Sequence, residues 1–185
     1  MKKKVLVLGG TGAMGVYTVP ELLVMGYQVD VMSMDDWKMA NCNVRYLKAD
    51  GFDDEFLKSL LEENHYDAVI DYLIYRTDAF ARRVEMLLTH TTHYIFLSTY
   101  RIYSGDEVPT RETSPRLLES RAADTAYQRH DIDEYSLYKA RQEDVLHASP
   151  YHNWTIVRPA ITFSKLRYQL VTLEAYVVIR RAMEG

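Results

Sequence analysis

Cysteine is all but missing: Cys42 stands alone, so no disulfide can form within the chain and a reducing, cytoplasmic setting is expected. Long apolar runs are missing too. Nothing approaches the roughly 18 apolar residues of a membrane span, and no membrane partner is expected. The opening MKKKVLVLGG imitates the basic start of a secretory leader, but its apolar run lasts only from Val5 to Leu8 before two glycines. It reads as a lysine-flanked first strand. A basic excess is also lacking. The formal net charge is −4, whereas a nucleic-acid surface needs clustered Lys and Arg, so no nucleic-acid partner is expected. No internal repeat or low-complexity tract occurs. The 185 residues, 48% hydrophobic and 26% charged, have the composition of one globular domain.

Short β-rich runs alternate with helix-length segments. The runs are 4–9, 27–32, 44–49, 67–73, 93–98 and 154–159. Val, Ile, Leu and Tyr crowd most of them without clean polar alternation, as in strands covered on both faces. Helices are expected at about 12–25, 53–64, 77–90 and 132–148, by the period of their apolar residues. Asp53 can cap the second, with Glu55 in its first turn. Pro20 falls inside the first and should kink it. This alternation predicts an α/β fold with a doubly wound parallel sheet. Two stretches break the rhythm. Residues 104–131 are polar and too long for an idle connection. The terminal YQLVTLEAYVVIRRAMEG is a strongly apolar helix candidate that needs a cover.

Strand one runs straight into GGTGAMG, so Gly9, Gly12 and Gly15 stand at a strand-to-helix junction. That placement suits a tight turn, a close backbone approach to a pyrophosphate, and close helix–strand packing. The N–H groups around Ala13 and Met14 would face the phosphate at the helix N-terminus. At the end of strand two an acid favours NAD and a base NADP. Here Ser33 and Met34 close the strand and Asp35 and Asp36 follow, with no arginine. The balance leans to NAD, with NADP left open. Farther on, Tyr135 and Lys139 are four apart and share one helix face. In a chain with 15 tyrosines, that spacing alone does not separate an acid/base pair from coincidence.

GGTGAMG, KADGFDD after strand three, DAVIDYL in strand four, FLSTYRIYS after strand five, YSLYK and TIVRP follow one another along the chain. Together they resemble the extended short-chain dehydrogenase/reductase superfamily, in particular an atypical member of its NAD-dependent epimerase/dehydratase branch. The resemblance implies a Rossmann-type fold with NAD as cofactor. Asp50 and Gly51 would meet the adenine. Tyr72 and Leu73 would line the cofactor cleft, where the family usually has small residues. Thr99 falls at the catalytic Ser/Thr, with Ser98 beside it. Tyr135 would be the general acid/base, Lys139 would bind the nicotinamide ribose, and Pro159 and Ala160 would border the nicotinamide. A free tyrosine has a pKa of about 10. An ammonium about 6 Å away at an effective dielectric of about 20 supplies roughly 2.8 kcal/mol, or about two pKa units, toward its ionised form.

Departures narrow the expectation. Sugar dehydratases of this family place Asp and Glu after the catalytic threonine; here those positions hold Tyr100 and Arg101. Epimerisation or ketone/alcohol redox on a nucleotide sugar or similar hydroxyl compound remains. The usual Tyr-Gly after strand six is Phe163-Ser164. Extended members continue into a substrate lobe, so the expected organisation is a dinucleotide domain over 1–164 and the start of that lobe over 165–185. Most of the lobe is expected to be absent. A non-catalytic dinucleotide sensor or scaffold is the alternative; RNA binding, known among atypical relatives, is disfavoured by the acidic balance. His90 and His93 lack the further ligands zinc requires, so no metal site is expected. Trp37 and Trp154 read as packing aromatics, and Arg82 and Arg83 as a solvated face. Tyr138, Val145 and Leu146 suit either a homodimer contact or the core.

Overall fold

The computed structural model of the chain describes residues 2–36, 38–123, 135–163, 169–170 and 173–184. The strands are β1 (Lys4–Leu8), β2 (Gln28–Ser33), β3 (Val44–Lys48), β4 (Ala68–Asp71), β5 (Tyr94–Leu97), β6 (Trp154–Val157), β7 (Gln169–Leu170) and β8 (Leu173–Glu174). The helices are α1 (Gly15–Val24), α2 (Asp54–Glu63), α3 (Thr77–Thr89), α4 (Leu117–Ser120), α5 (Tyr135–Ala148) and α6 (Ala175–Glu184), with a 3-10 turn at Tyr100–Ile102. Six strands lie in the order β3-β2-β1-β4-β5-β6. This is the expected Rossmann-like α/β sheet. The chain divides into two compact units, Met1–Leu73 with Ile161–Gly185, and Ile74–Ala160.

In the first unit β1 pairs in parallel with β2 and with β4, and β2 with β3. Val5 to Leu8, Val29, Val31, Met32, Val69 and Ile70 are buried, so the inner strands are covered as their composition predicts. β3 is not: its residues are half-buried or exposed, because it closes one edge of the sheet. α1 runs through Pro20 without ending there. α2 begins as expected, with the Asp53 carboxylate accepting from the Phe56 N–H at 3.0 Å and Glu55 in the first turn. Leu57, Leu60 and Leu61 form its buried stripe. The terminal apolar stretch differs from expectation. Its first part pairs as an antiparallel hairpin, Leu170 opposite Leu173, and only Ala175–Glu184 is helical.

The second unit is built on β5 and β6, paired in parallel, with Tyr75, Phe80 and Phe96 in its core. The Phe80 and Phe96 rings are 4.9 Å apart. β6 is an edge strand and alternates half-buried and exposed, so the expectation of cover on both faces fails for it as for β3. Arg82 pairs with Asp78 in solvent. Arg83 does not belong to that face: it is buried, with its guanidinium 4.7 Å from the centre of the Tyr75 ring. The aromatic face supplies a cation–π contact that sequence position alone does not reveal. Leu146 is fully buried in the core. Trp154 packs edge-on against His147. Of the long polar segment, residues 104–123 are tied down by Ser104 N–H to Pro115 O (2.9 Å), a bridge between Tyr103 and Arg116, and α4. Residues 124–134, and Trp37, lie outside the described residues.

One buried charge holds the first unit together. Asp30 in β2 accepts from the Tyr66 hydroxyl at 2.6 Å, from the Arg45 Nε at 3.1 Å, and faces Lys4 Nζ at 2.9 Å. Burial alone would raise its carboxyl, but the Arg45, Tyr66 and Lys4 hydrogen bonds outweigh that and hold it below the ordinary value. A depressed folded-state pKa means that the stabilisation is complete above about pH 4 and is lost as pH falls through the folded value. Asp30→Ala should cost toward the lower end of about 3–5 kcal/mol at pH 7, because Lys4 and Arg45 can reach water. Urea unfolding of variant and wild type should converge as pH is lowered from 4 to 2; a constant difference would contradict the pairing. A second expectation concerns packing. A Cβ on Gly15 would lie 2.2 Å from Gly10 O, whereas one on Gly12 would lie 3.3 Å from Gly9 O. Gly15→Ala should therefore destabilise by about 3 kcal/mol or more, and Gly12→Ala far less, by the same unfolding measurement.

Candidate functional site

The sheet order places β1 between β2 and β4, the point where successive connections leave in opposite directions. Crevices at such points bind ligands outside the carboxyl ends of the strands. Here that end carries the glycine loop. Gly9 has φ +72°, which favours glycine, and a Cβ on Gly10 would lie 2.8 Å from Val31 Cγ1. The loop closes with Gly12 N–H to Gly9 O at 3.0 Å and Val16 N–H to Gly12 O at 3.1 Å. No side chain caps α1 at Met14. The N–H groups of its leading turn thus carry the positive end of the helix dipole, and Ala13 and Met14 stand in the loop just before it.

A hydroxyl–carboxylate cluster borders the loop. Thr11 Oγ1 donates to Asp35 Oδ2 at 2.6 Å and lies 2.5 Å from Ser33 Oγ, which accepts from the Asp35 N–H at 3.1 Å. Each hydroxyl has one proton. Thr11 gives its own to the carboxylate, so Ser33 is the donor toward Thr11. Ser33, at the end of β2, is thereby bonded to the loop, and Asp35 is drawn in beside it. Asp36 is turned to Lys48 at 2.7 Å. Thr11 escaped the sequence reading, which weighed only the glycines around it; its small hydroxyl between two glycines was the available signal.

Asp50 is exposed, and its carboxylate accepts from the Phe52 N–H at 2.9 Å, shaping its own turn. Gly51 is buried beneath Leu73: a Cβ there would lie 2.5 Å from Leu73 Cδ1. Tyr72 sets its hydroxyl 2.6 Å from Thr18 Oγ1 on α1, and burial raises its phenol.

The remaining candidates belong to the second unit. Ser98 closes β5 with its N–H on Val157 O at 2.8 Å; its hydroxyl is buried and has no partner among the described residues. Thr99 is extended, and its hydroxyl oxygen accepts from the Arg101 N–H at 3.3 Å. The next N–H, of Tyr100, reaches Pro159 O at 3.1 Å, which brings Pro159 to the Thr99 turn. Ala160 follows, exposed. Lys139 is 1% exposed, donates to Leu97 O at 2.7 Å, and sits 4.5 Å from the Phe96 ring centre. Its ammonium is thus fixed at the residue before Ser98. Tyr135, one turn earlier on α5, is half-buried and meets Tyr138 edge-on at 5.5 Å. One turn beyond Lys139 comes Glu143, fully buried and gripped by Arg158 through two bonds of 2.9 Å. Arg158 also donates to the Tyr103 hydroxyl at 3.1 Å, and Glu143 pushes the guanidinium pKa up. Glu143 and Arg158 were missed, although each stands at helical or adjacent spacing to a candidate. His90 bonds to Met86 O and His93 to Thr155, so the two do not act as a pair. Among the described residues no three His, Cys, Asp or Glu are grouped for a metal, and no helix is long and apolar enough to cross a membrane.

Comparison with known proteins bears on this arrangement. The chloroplastic "stem-loop binding protein of 41 kDa b" of Arabidopsis thaliana is 26% identical over 189 residues, covering 92% of this chain and 45% of that protein. The Bordetella bronchiseptica enzyme WbmH, solved with NAD+, superposes with a TM-score of 0.64 at 18% identity, over 86% of this chain and 57% of that one. The UDP-Glc/GlcNAc 4-epimerase of Campylobacter jejuni superposes with a TM-score of 0.66 at 21% identity, over 84% and 53%. The chain thus spans about half the length of these relatives. Residues 5–170 match the family model for NAD dependent epimerases and dehydratases. Since that match takes in the glycine loop, the Thr99 turn and α5 alike, the chain belongs to the NAD dependent epimerase/dehydratase family.

Proposed function

We propose that the chain binds NAD at the Gly9–Gly15 loop and carries the Thr99, Tyr135 and Lys139 site of an oxidoreductase or epimerase acting on a nucleotide sugar. The observation that carries this reading is the uncapped start of α1 behind the glycine loop, with the Asp35 carboxylate bonded to Thr11 at its border. Backbone N–H groups at a helix start suit a diphosphate, and a carboxylate suits a ribose diol but repels a 2′-phosphate. The residues present therefore fit NAD better than NADP. Gly12, Ala13, Met14 and Gly15 would face the diphosphate, Ser33 and Asp35 the ribose, and Asp50, Gly51, Tyr72 and Leu73 the adenosine end. Ser98, Pro159 and Ala160 would border the nicotinamide. The UDP-sugar epimerase among the structural neighbours supports the substrate class.

NAD, when bound, supplies a hydride acceptor at the substrate carbon. The chain's own groups manage the proton. Tyr135 takes it from the substrate hydroxyl, as general base. The Lys139 ammonium, one turn away and held by its bond to Leu97 O, favours the ionised phenol. Thr99 uses its oxygen lone pair for the Arg101 N–H, so its own proton can orient the substrate oxygen. Elimination is not assigned, since Tyr100 and Arg101 provide no carboxylate pair. A second reading, a dinucleotide sensor without turnover, is favoured by Tyr72 and Leu73, which bring large side chains to the glycine loop at the end of β4. α5 could also serve a homodimer, through Tyr138 and Val145.

Thermal unfolding with each dinucleotide separates these readings, because a ligand that binds only the folded chain raises its melting temperature. NAD and NADH should stabilise, NADP and NADPH much less, and UDP-sugars should add to the NAD shift. Tyr135→Phe should abolish epimerisation while leaving the NAD shift in place. Retained turnover in that variant would refute the acid/base assignment. NAD stabilisation without turnover of any UDP-sugar by the wild type would favour the sensor, and stabilisation by a stem-loop RNA instead of NAD would sink both.

A further inference from the structure

Two glycines far apart in sequence open space around one side chain. Gly9 ends the run out of β1, and Gly51 follows β3. Leu73, just past β4, fills both openings: its Cδ2 lies 3.4 Å from where a Gly9 Cβ would stand, and its Cδ1 lies 2.5 Å from where a Gly51 Cβ would stand. The first distance is ordinary contact. The second is closer than real Cβ atoms come, so a side chain on Gly51 would have to displace the end of Leu73, which occupies that volume.

The leucine is held there. Its N–H donates to Asp71 Oδ1 at 3.0 Å, which fixes the backbone as it leaves β4. The preceding Tyr72 reaches across to Thr18 at 2.6 Å, and Thr18 Oγ1 donates in turn to Met14 O at 3.1 Å. Because the single Thr18 proton goes to Met14, the Tyr72 hydroxyl is the donor between them. The tip of β4 is thereby pinned to the start of α1. These bonds fix the backbone that carries Leu73. Its position along the crevice is also defined. Ala49 N–H bonds to Ser33 O at 3.1 Å, tying the stretch that leads to Gly51 to the end of β2, where Asp35 stands. Leu73 therefore sits toward the ribose carboxylate, at the end that would take an adenosine.

We propose that Leu73 is a size-determining wedge in the nucleotide seat: wedged between Gly9 and Gly51, it fills room that the two glycines would otherwise leave for the base. This rests on the dinucleotide reading above. Recognition then depends on the diphosphate and ribose, and the adenine is accepted poorly. One or two methylenes of misfit in a pocket correspond to about tenfold or more in affinity. Removing the wedge should improve binding, an outcome that general damage to the fold does not produce.

The test is titration calorimetry of wild type and Leu73→Ala with NAD, AMP and nicotinamide mononucleotide. Leu73→Ala should bind NAD and AMP about tenfold more tightly and leave the mononucleotide unchanged. Unchanged or weaker NAD and AMP binding by the variant, with wild-type NAD binding intact, would overturn the wedge alone. Absence of NAD binding in both proteins would overturn the dinucleotide reading and the wedge with it. Gly51→Ala provides a second readout that needs no ligand. It should lower the melting temperature of the wild type, and do so less in the Leu73→Ala background. Equal effects in the two backgrounds would likewise overturn the proposal.

Discussion

The backbone of Gly15 lies against the backbone of Gly10, so close that a single methyl on Gly15 would stand 2.2 Å from a carbonyl oxygen. That contact sets where α1 starts and how near it comes to the end of β1. Its consequences run outward. The leading turn of α1 follows directly on the glycine loop, and no side chain at Met14 caps it. The same tight loop lets Thr11 reach Ser33 and Asp35, so the glycine loop and the end of β2 are coupled through one hydroxyl. A larger residue at Gly15 would separate these groups before it altered any of their identities.

The second unit reaches its arrangement by burying charge. Three side chains on one face of α5, at positions 135, 139 and 143, use successive turns. Lys139 gives a proton to a strand-end carbonyl, and Glu143 receives two from Arg158. A buried ion pair seldom adds much net stability compared with apolar packing, but it fixes geometry, since each partner is costly to leave alone. Arg158 immediately precedes Pro159, whose carbonyl holds the Thr99 turn through Tyr100. The helix, the end of β6 and the turn after β5 are thus locked to one another by polar contacts.

Local rules were legible in the sequence, and remote ones were not. Asp53 as a cap, the buried runs of β1, β2 and β4, and the glycine loop depend on neighbours within a few residues, and they appear as read. The exposure of β3 and β6 depends on which strands end at the sheet's edges, which composition does not encode. Arg82 and Arg83 are adjacent and chemically identical; only the Tyr75 ring distinguishes the solvated one from the buried one. The side chain that a Cβ on Gly51 would meet belongs to a residue 22 positions later, which no local pattern around Gly51 encodes. The roles proposed for Tyr135, Lys139 and Thr99 rest on their order along the chain.

The central claim is that amide groups at the start of α1 grip a diphosphate. An amide-resolved NMR titration with NAD addresses it directly. The largest shifts should fall on the N–H groups of residues 13–15, saturating together with those of Asp35, while the edge residues of β3 remain still. Shifts confined to other parts of the chain, or none at saturating NAD, would contradict the account.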